Sequence, residues 1–242
     1  MMKRTSRLLL LSNSRNFGGG WLDHAEPWIR AFMGGVKSAV FVPYAGVTVT
    51  WDEYTRMARD RLEKMGIEVT SVHEARHPAK AVDAAAAVFV GGGNTFHLLK
   101  HMYDNGTLWA IRERVLAGAP YIGWSAGSNV ACPSIRTTND MPVVEPSRFD
   151  AMRLVPFQIN PHYTDAVIPN HGGETRSQRL AEFTKSNPGI YVVGLREGSA
   201  VEVSNGETTL LGPHSARIFF NDDEPVERAP GASMEFLWSA RT

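Results

Sequence analysis

Tyr121-Ile122-Gly123-Trp124-Ser125-Ala126-Gly127 is a short apolar run that passes directly into the pattern G-x-S-x-G. Glycines two positions before and two after the serine permit a sharp turn from a strand into a helix, with the hydroxyl displayed at its tip. Open α/β sheets bind ligands beyond the carboxyl ends of their strands, so Ser125 is a candidate nucleophile. The helix that starts there also aims the Ala126 N–H at the same space, where it can stabilise a developing oxyanion. The same residues equally describe a close strand–helix turn with Ser125 as a helix N-cap, and the motif alone does not separate the two readings.

Upstream, short apolar runs at 8–12, 39–43, 68–72 and 87–91 repeat the strand character of 121–124. Between them, 53–64 places Tyr54, Met57, Ala58 and Leu62 near helical spacing, and 95–103 and 108–117 read the same way. Alternating strands and helices predict a doubly wound α/β fold with a mainly parallel sheet. Downstream, 132–161 is polar, contains proline and is longer than an ordinary connection, which marks it as a functional loop. A helix is expected over 173–184. Strand-like runs at 191–195, 200–204, 208–211 and 216–220 predict a closing β-meander. No repeat or linker-like break appears, so residues 1–242 read as a single domain.

The 242 residues carry 25 Lys+Arg against 25 Asp+Glu, which leaves no net charge to attract nucleic acid or an anionic membrane. The apolar run at 8–11 is shorter than the roughly seven residues of a signal core, and no run is long enough to span a bilayer. With one cysteine there is no internal disulfide, and the expectation is a cytoplasmic protein, with a homodimer compatible with the sequence.

A nucleophilic serine needs a base, an orienting acid and an oxyanion donor. His162, in Asn160-Pro161-His162-Tyr163, follows a strand-like run at 154–159 on backbone stiffened by proline; His171 is its main competitor. Asp140, in Arg136-Thr137-Thr138-Asn139-Asp140-Met141-Pro142, and Glu197, at the end of a predicted strand, are the candidate acids. Chain order does not choose between them, because one triad geometry arises from several orders. The second glycine turn, Val90-Gly91-Gly92-Gly93-Asn94-Thr95, follows another strand and opens another helix, which makes Gly93 N–H an oxyanion donor. It lacks the Lys-Ser/Thr of a phosphate-binding loop. No histidine pattern at metal-ligand spacing is present, so no metal is expected. Cys132 reads as a packed residue and not as a nucleophile.

Taken together, G-W-S-A-G, R-T-T-N-D-M-P, N-P-H-Y, G-E-T-R-x-Q-R, V-G-G-G-N-T, G-L-R-E-G and F-V-P-Y-A-G-V-T-x-T-W-D-E-Y closely resemble the peptidase E family. These are the α-aspartyl dipeptidases of the serine peptidase group that includes cyanophycinase, and the likeness runs from about residue 8 to 211 in the family's order. It implies a three-layer α/β/α fold akin to class I glutamine amidotransferases, no cofactor, Ser125 as nucleophile and His162 as base. The family's acid has been read at the positions of both Asp140 and Glu197; we favour Glu197, with Asp140 structuring the loop.

The resemblance implies hydrolysis of dipeptides and short peptides with an unblocked N-terminal aspartate. Reading the aspartyl carboxylate calls for a bidentate arginine. Arg176 is the first choice and Arg136 the second, with Glu174 or Asp140 facing the free α-amino group. The competing readings are an α/β-hydrolase-type esterase, which would place its histidine nearer the C-terminus, and a non-catalytic amidotransferase-like module that binds a ligand without turnover.

Overall fold

A computed structural model describes residues 6–167, 169–170 and 172–239. In chain order the elements are β1 Leu8–Leu11, α1 Glu26–Met33, β2 Ser38–Val42, α2 Trp51–Leu62, β3 Glu68–Ser71, α3 Pro78–Asp83, β4 Val88–Val90, α4 Thr95–Asp104, α5 Thr107–Leu116, β5 Tyr121–Trp124, α6 Ala126–Ala131, β6 Gln158–Tyr163, α7 Arg176–Ser186, β7 Val192–Arg196, β8 Ala200–Ser204, β9 Glu207–Leu211, β10 Ala216–Phe219 and β11 Val226–Arg228.

Strands β1 to β5 pair in parallel, in the order β3-β2-β4-β5-β1, and β8 and β9 continue the sheet antiparallel beyond β1. Because side chains alternate across a strand, each central strand supplies two cores. Leu9, Leu11, Phe41, Phe89 and Trp124 pack with Ile29 and Phe32 of α1 and Ala58 and Leu62 of α2. On the other face Leu8, Leu10, Val42, Val90 and Tyr121 pack with Val82 of α3, Leu98 of α4, Ile111 of α5 and Val130 of α6. Strands buried on both faces are apolar at every position, which is why the sequence shows continuous runs instead of alternation. The result is a three-layer α/β/α sandwich around a mainly parallel sheet.

Where the predicted meander was expected, the chain instead alternates between two sheets. β7 and β10 join β6 and β11 in a second sheet of order β11-β10-β7-β6, while β8 and β9 belong to the large one. Only the β8–β9 hairpin survives of the meander, closed by Asn205 (φ 54°) and Gly206 (φ 83°). That conformation suits an Asn-Gly two-residue turn. The second sheet packs one face into the large core through Ile159, Val193, Leu195 and Ile218 and covers the other with α7, through Leu180.

The segment 132–161 is irregular up to 157 but not loose: Ala151, Met152, Val155 and Phe157 are fully buried. It ends in β6, which contains His162 where a preceding run at 154–159 was expected. Helices α1 and α3 carry no counterpart in the sequence reading, and α7 begins at Arg176, capped by Thr175 with Gln178 in a reciprocal capping box. Among the described residues no helix is long and apolar enough to cross a membrane.

Candidate active site

Ser125 joins β5 to α6 with φ 52° and ψ −111°, a conformation that L-residues avoid unless the surroundings impose it. The surroundings here are close-packed backbone. A Cβ on Gly127 would stand 2.2 Å from the Val90 carbonyl oxygen, so only glycine lets α6 approach β4 this closely. Ser125 N–H donates to the Leu11 carbonyl at 3.1 Å, and the Tyr121 hydroxyl donates to the Gly127 carbonyl at 2.6 Å. Trp124 stacks on Phe41 behind the turn. Its indole N–H donates to the Tyr54 hydroxyl at 3.0 Å, which donates in turn to the Gly92 carbonyl at 3.0 Å. The serine is therefore fixed to the neighbouring glycine turn through side chains as well as through the sheet.

The Ser125 Oγ lies 2.9 Å from His162 Nε2, and His162 Nδ1 lies 2.7 Å from Glu197 Oε1. A carboxylate only accepts, so Nδ1 carries the hydrogen that donates to Glu197 and Nε2 presents a lone pair to the serine O–H. Parallel strands β6 and β7 deliver the pair: Tyr163 is in register with Arg196, so the residues beside them, His162 and Glu197, meet at one edge. The ladder is irregular between Asn160 and Tyr163, and His162 has φ 53°. This bulge turns the imidazole off the strand, as bulges near functional residues do. Ser12, just past β1, holds it: its hydroxyl accepts from His162 N–H at 2.8 Å and donates to the Leu195 carbonyl at 2.8 Å. Asn13 accepts from Gly198 N–H at 2.8 Å and fixes the turn that carries Glu197.

Gly93 has φ 134°, and a Cβ there would fall 2.3 Å from the Ala45 carbonyl oxygen. The flanking Gly91 and Asn94 N–H groups are bonded to the Val42 and Ala45 carbonyls, and Gly92 and Gly93 line the cavity wall beside Ser125. Ala126 is the first residue of α6, where an N–H has no intrahelical acceptor. Both positions are therefore candidates for an oxyanion donor.

The cavity in front of Ser125 has a volume of about 530 Å³ and is lined by Ser14, Tyr54, Gly92, Gly93, Asn129, Thr138, Asn139, Asp140, Pro161, His162 and Arg176. That size takes a small ligand. Asp140 is here, but it does not orient His162. Its Oδ2 accepts from Thr95 N–H at 2.7 Å, Thr95 Oγ1 at 2.5 Å and Thr138 Oγ1 at 3.1 Å, which ties the 132–157 segment to the start of α4. Arg176 is half-buried, with one long contact of 3.5 Å to the His162 carbonyl. Burial, and then repulsion from Arg179, lower its pKa, although a guanidinium remains charged. Among the described residues neither Arg176 nor Asp140 has an ion-pair partner.

The two remaining substrate candidates are elsewhere. Arg136 donates to Asn187 Oδ1 at 2.9 Å and lies over the Phe183 ring, so it braces α7 and is absent from the cavity. Glu174 faces Arg179 at 3.8 Å on the surface beside a neighbouring depression. His171 lies outside the described residues. Cys132 is fully buried, and burial pushes its thiol up to about 12, which removes it from nucleophilic chemistry at neutral pH. Sequence reasoning misses Ser12, Asn13 and Asn129: the first two act through bonds to segments far away in the chain, and nothing local marks the third.

Comparison with known proteins agrees with this architecture. The model of "Peptidase family S51" matches residues 8–211. Curated relatives named Peptidase E from Salmonella newport and Salmonella typhimurium are each 50% identical over 224 residues, covering 93% of this chain and 98% of theirs. Among solved structures, a peptidase from an acI-B1 Actinobacterium superposes with a TM-score of 0.68 at 15% identity, covering 95% of this chain and 96% of its own. A protein from Listeria monocytogenes EGD-e does so with a TM-score of 0.64 at 23% identity, covering 86% of this chain and 98% of its own. These two likenesses establish the class I glutamine amidotransferase-like fold. With the family model spanning most of the chain and half of the residues shared with curated relatives, this chain belongs to peptidase family S51, as a serine peptidase.

Proposed function

We propose that this peptidase hydrolyses dipeptides, and short peptides, that begin with an unblocked aspartate, using Ser125 as nucleophile, His162 as base and Glu197 as the acid that orients it. The observation that carries the reading is the placement of opposite charges in the cavity: a guanidinium, Arg176, and a carboxylate, Asp140, neither of them in an ion pair among the described residues, line the space in front of the serine. An N-terminal aspartate brings their complements, a side-chain carboxylate and an α-ammonium. A substrate lacking either complement leaves a half-buried charge without a counter-ion, which makes it a poorer fit.

In the reaction the Ser125 oxygen attacks the aspartyl carbonyl carbon while His162 Nε2 takes the hydroxyl proton. Glu197 stabilises the imidazolium so formed, and the Gly93 and Ala126 N–H groups receive the oxyanion. The peptide C–N bond then breaks as Nε2 returns the proton to the leaving amine. Water attacks the acyl-enzyme, again losing its proton to His162, and aspartate departs as the serine hydroxyl re-forms. The sequence of steps needs no cofactor, and the composition of the chain favours a cytoplasmic setting.

Hydrolysis of Asp-Leu, N-acetyl-Asp-Leu, Asn-Leu and Ala-Leu by the wild type and by Ser125→Ala tests the proposal. Cleavage of Asp-Leu alone, lost in the variant, is expected. In Arg176→Ala, kcat/KM for Asp-Leu should fall on the order of 10²- to 10³-fold, the usual scale for removing one member of a close charge pair. An unchanged ratio of Asp-Leu to Ala-Leu cleavage would remove Arg176 from the proposal.

A further inference from the structure

Asn129 is the residue one helical turn beyond Ser125 in α6, and only 1% of it is exposed. Both polar atoms of its side chain, Nδ2 and Oδ1, are shielded from solvent, and neither has a hydrogen-bond partner among the described residues. Buried amides are almost always paired, so two orphaned atoms on one side chain require a reason. Its position supplies one, because Asn129 lines the same cavity as Ser125, Asp140 and Arg176. Nearby, Ser128 Oγ donates to the Leu11 and Gly123 carbonyls, and Asn160 Nδ2 donates to the Thr137 carbonyl and to Asn139 Oδ1, although Asn160 Oδ1 is unpaired. Among the described residues that line the cavity, only Asn129 has a buried side-chain amide with both atoms unpaired beside the serine.

We infer that the Asn129 amide forms the inner wall of the subsite for the substrate's N-terminal residue, with Nδ2 donating to the aspartyl side-chain carboxylate alongside Arg176. This rests on the function proposed above and extends it. A carboxylate accepts several hydrogen bonds at once, so one arginine leaves acceptor capacity unused. The amide turns about its terminal torsion into the cavity without breaking any protein hydrogen bond, since it makes none, and that torsion is soft. Oδ1 faces outward in the same motion and accepts from the nearby α-ammonium. Asn129 therefore reads polarity and shape, and Arg176 reads charge. A polar group desolvated in the free enzyme and satisfied only by substrate is binding energy reserved for the correct ligand.

A substrate contact and a structural one respond differently to substitution. An amide that holds nothing in the protein loses nothing when replaced by an apolar side chain of similar shape, whereas a structural amide leaves its partners unpaired. In Asn129→Leu the melting temperature should equal or exceed that of the wild type. At the same time kcat/KM for Asp-Leu should fall about 10- to 100-fold, the scale of one hydrogen bond to a charged group. Labelling of Ser125 by a small fluorophosphonate, which does not use this subsite, should proceed at the wild-type rate. Asn129→Asp, which sets a carboxylate against the substrate's own, should lose more activity than Asn129→Leu. A lower melting temperature in Asn129→Leu, or kcat/KM within twofold of wild type, overturns the inference and leaves the proposed function standing. Failure of the wild type itself to cleave Asp-Leu overturns both.

Discussion

Replacing Glu197 by glutamine tests the division of labour between the two carboxylates. The substitution keeps size and removes charge from a group 2.7 Å from His162 Nδ1. With charge centres about 4 Å apart and an effective dielectric near 20, the ion pair that forms when His162 takes the serine proton would be worth about 4 kcal/mol. The side chains are 41% and 51% exposed, so solvent reduces this to about 1–2 kcal/mol, or roughly 5- to 30-fold in rate. A second loss follows from the new amide, which can donate to Nδ1 and so draw the ring hydrogen to Nε2, where no lone pair remains for the serine proton. That adds about another 10-fold or more, for an expected loss in kcat on the order of 10²- to 10³-fold. Glu197 is outside the cavity lining, so KM for Asp-Leu should stay within about twofold. Asp140→Asn should do the reverse, raising KM more than it lowers kcat. Steady-state kinetics of the two variants on Asp-Leu is the assay. A Glu197→Gln enzyme with kcat within threefold of wild type, beside an inactive Asp140→Asn enzyme, would refute the assignment.

Gly127→Ala forces a Cβ to within 2.2 Å of the Val90 carbonyl oxygen, and two backbones must separate to admit it. A destabilisation of about 3 kcal/mol is expected, seen as a fall in melting temperature of roughly 6–12 °C. Cys132 should not react with a thiol reagent in the native enzyme and should react once under denaturant, with Cys132→Ala keeping its activity; rapid native labelling would contradict its burial. The hydrogen bond from Arg196 holds the Glu227 carboxyl below its ordinary range, so the folded protein binds fewer protons there than the unfolded chain does. The associated stability is present above the ordinary carboxylate pKa and is lost as pH falls through the lowered one. In Glu227→Gln, denaturant midpoints measured between about pH 6 and 3 should decline slightly less steeply than in wild type, the pair being partly exposed and worth about 1 kcal/mol or less.

The first half of the molecule was legible because β1, β2, β4 and β5 are covered on both faces, and such strands announce themselves as unbroken apolar runs. The serine turn was legible for a related reason, since the glycines that mark it are dictated by backbone contacts a few ångströms away. His162 and Glu197 were readable as candidates, yet their meeting depends on the parallel pairing of β6 and β7, and no local pattern encodes a pairing across α7. The same blindness produced the meander, because 200–204 looks alike whether it pairs with β7 or with β1. Arg136 and Glu174 sit within the motifs that drew attention to them. Motif membership does not state direction, and their side chains point to α7 and to Arg179 instead. Asn129 left no signal at all, since what distinguishes it is a lack of partners that only the packed structure reveals.

The proposed reacting groups belong to two different sheets. The serine and the glycine turn hang from the large one, while His162 and Glu197 hang from the small one. Next to His162, the Ser12 hydroxyl acts as a rivet through both, seated past the end of β1 with one bond to the His162 backbone and one to Leu195. Loosening the small sheet would carry the base away from the nucleophile while the large sheet stayed intact, a sub-global opening of lower free energy than complete unfolding. Under rising denaturant such an enzyme falls silent before it unravels, and its activity gauges the seam between the sheets, not the stability of either.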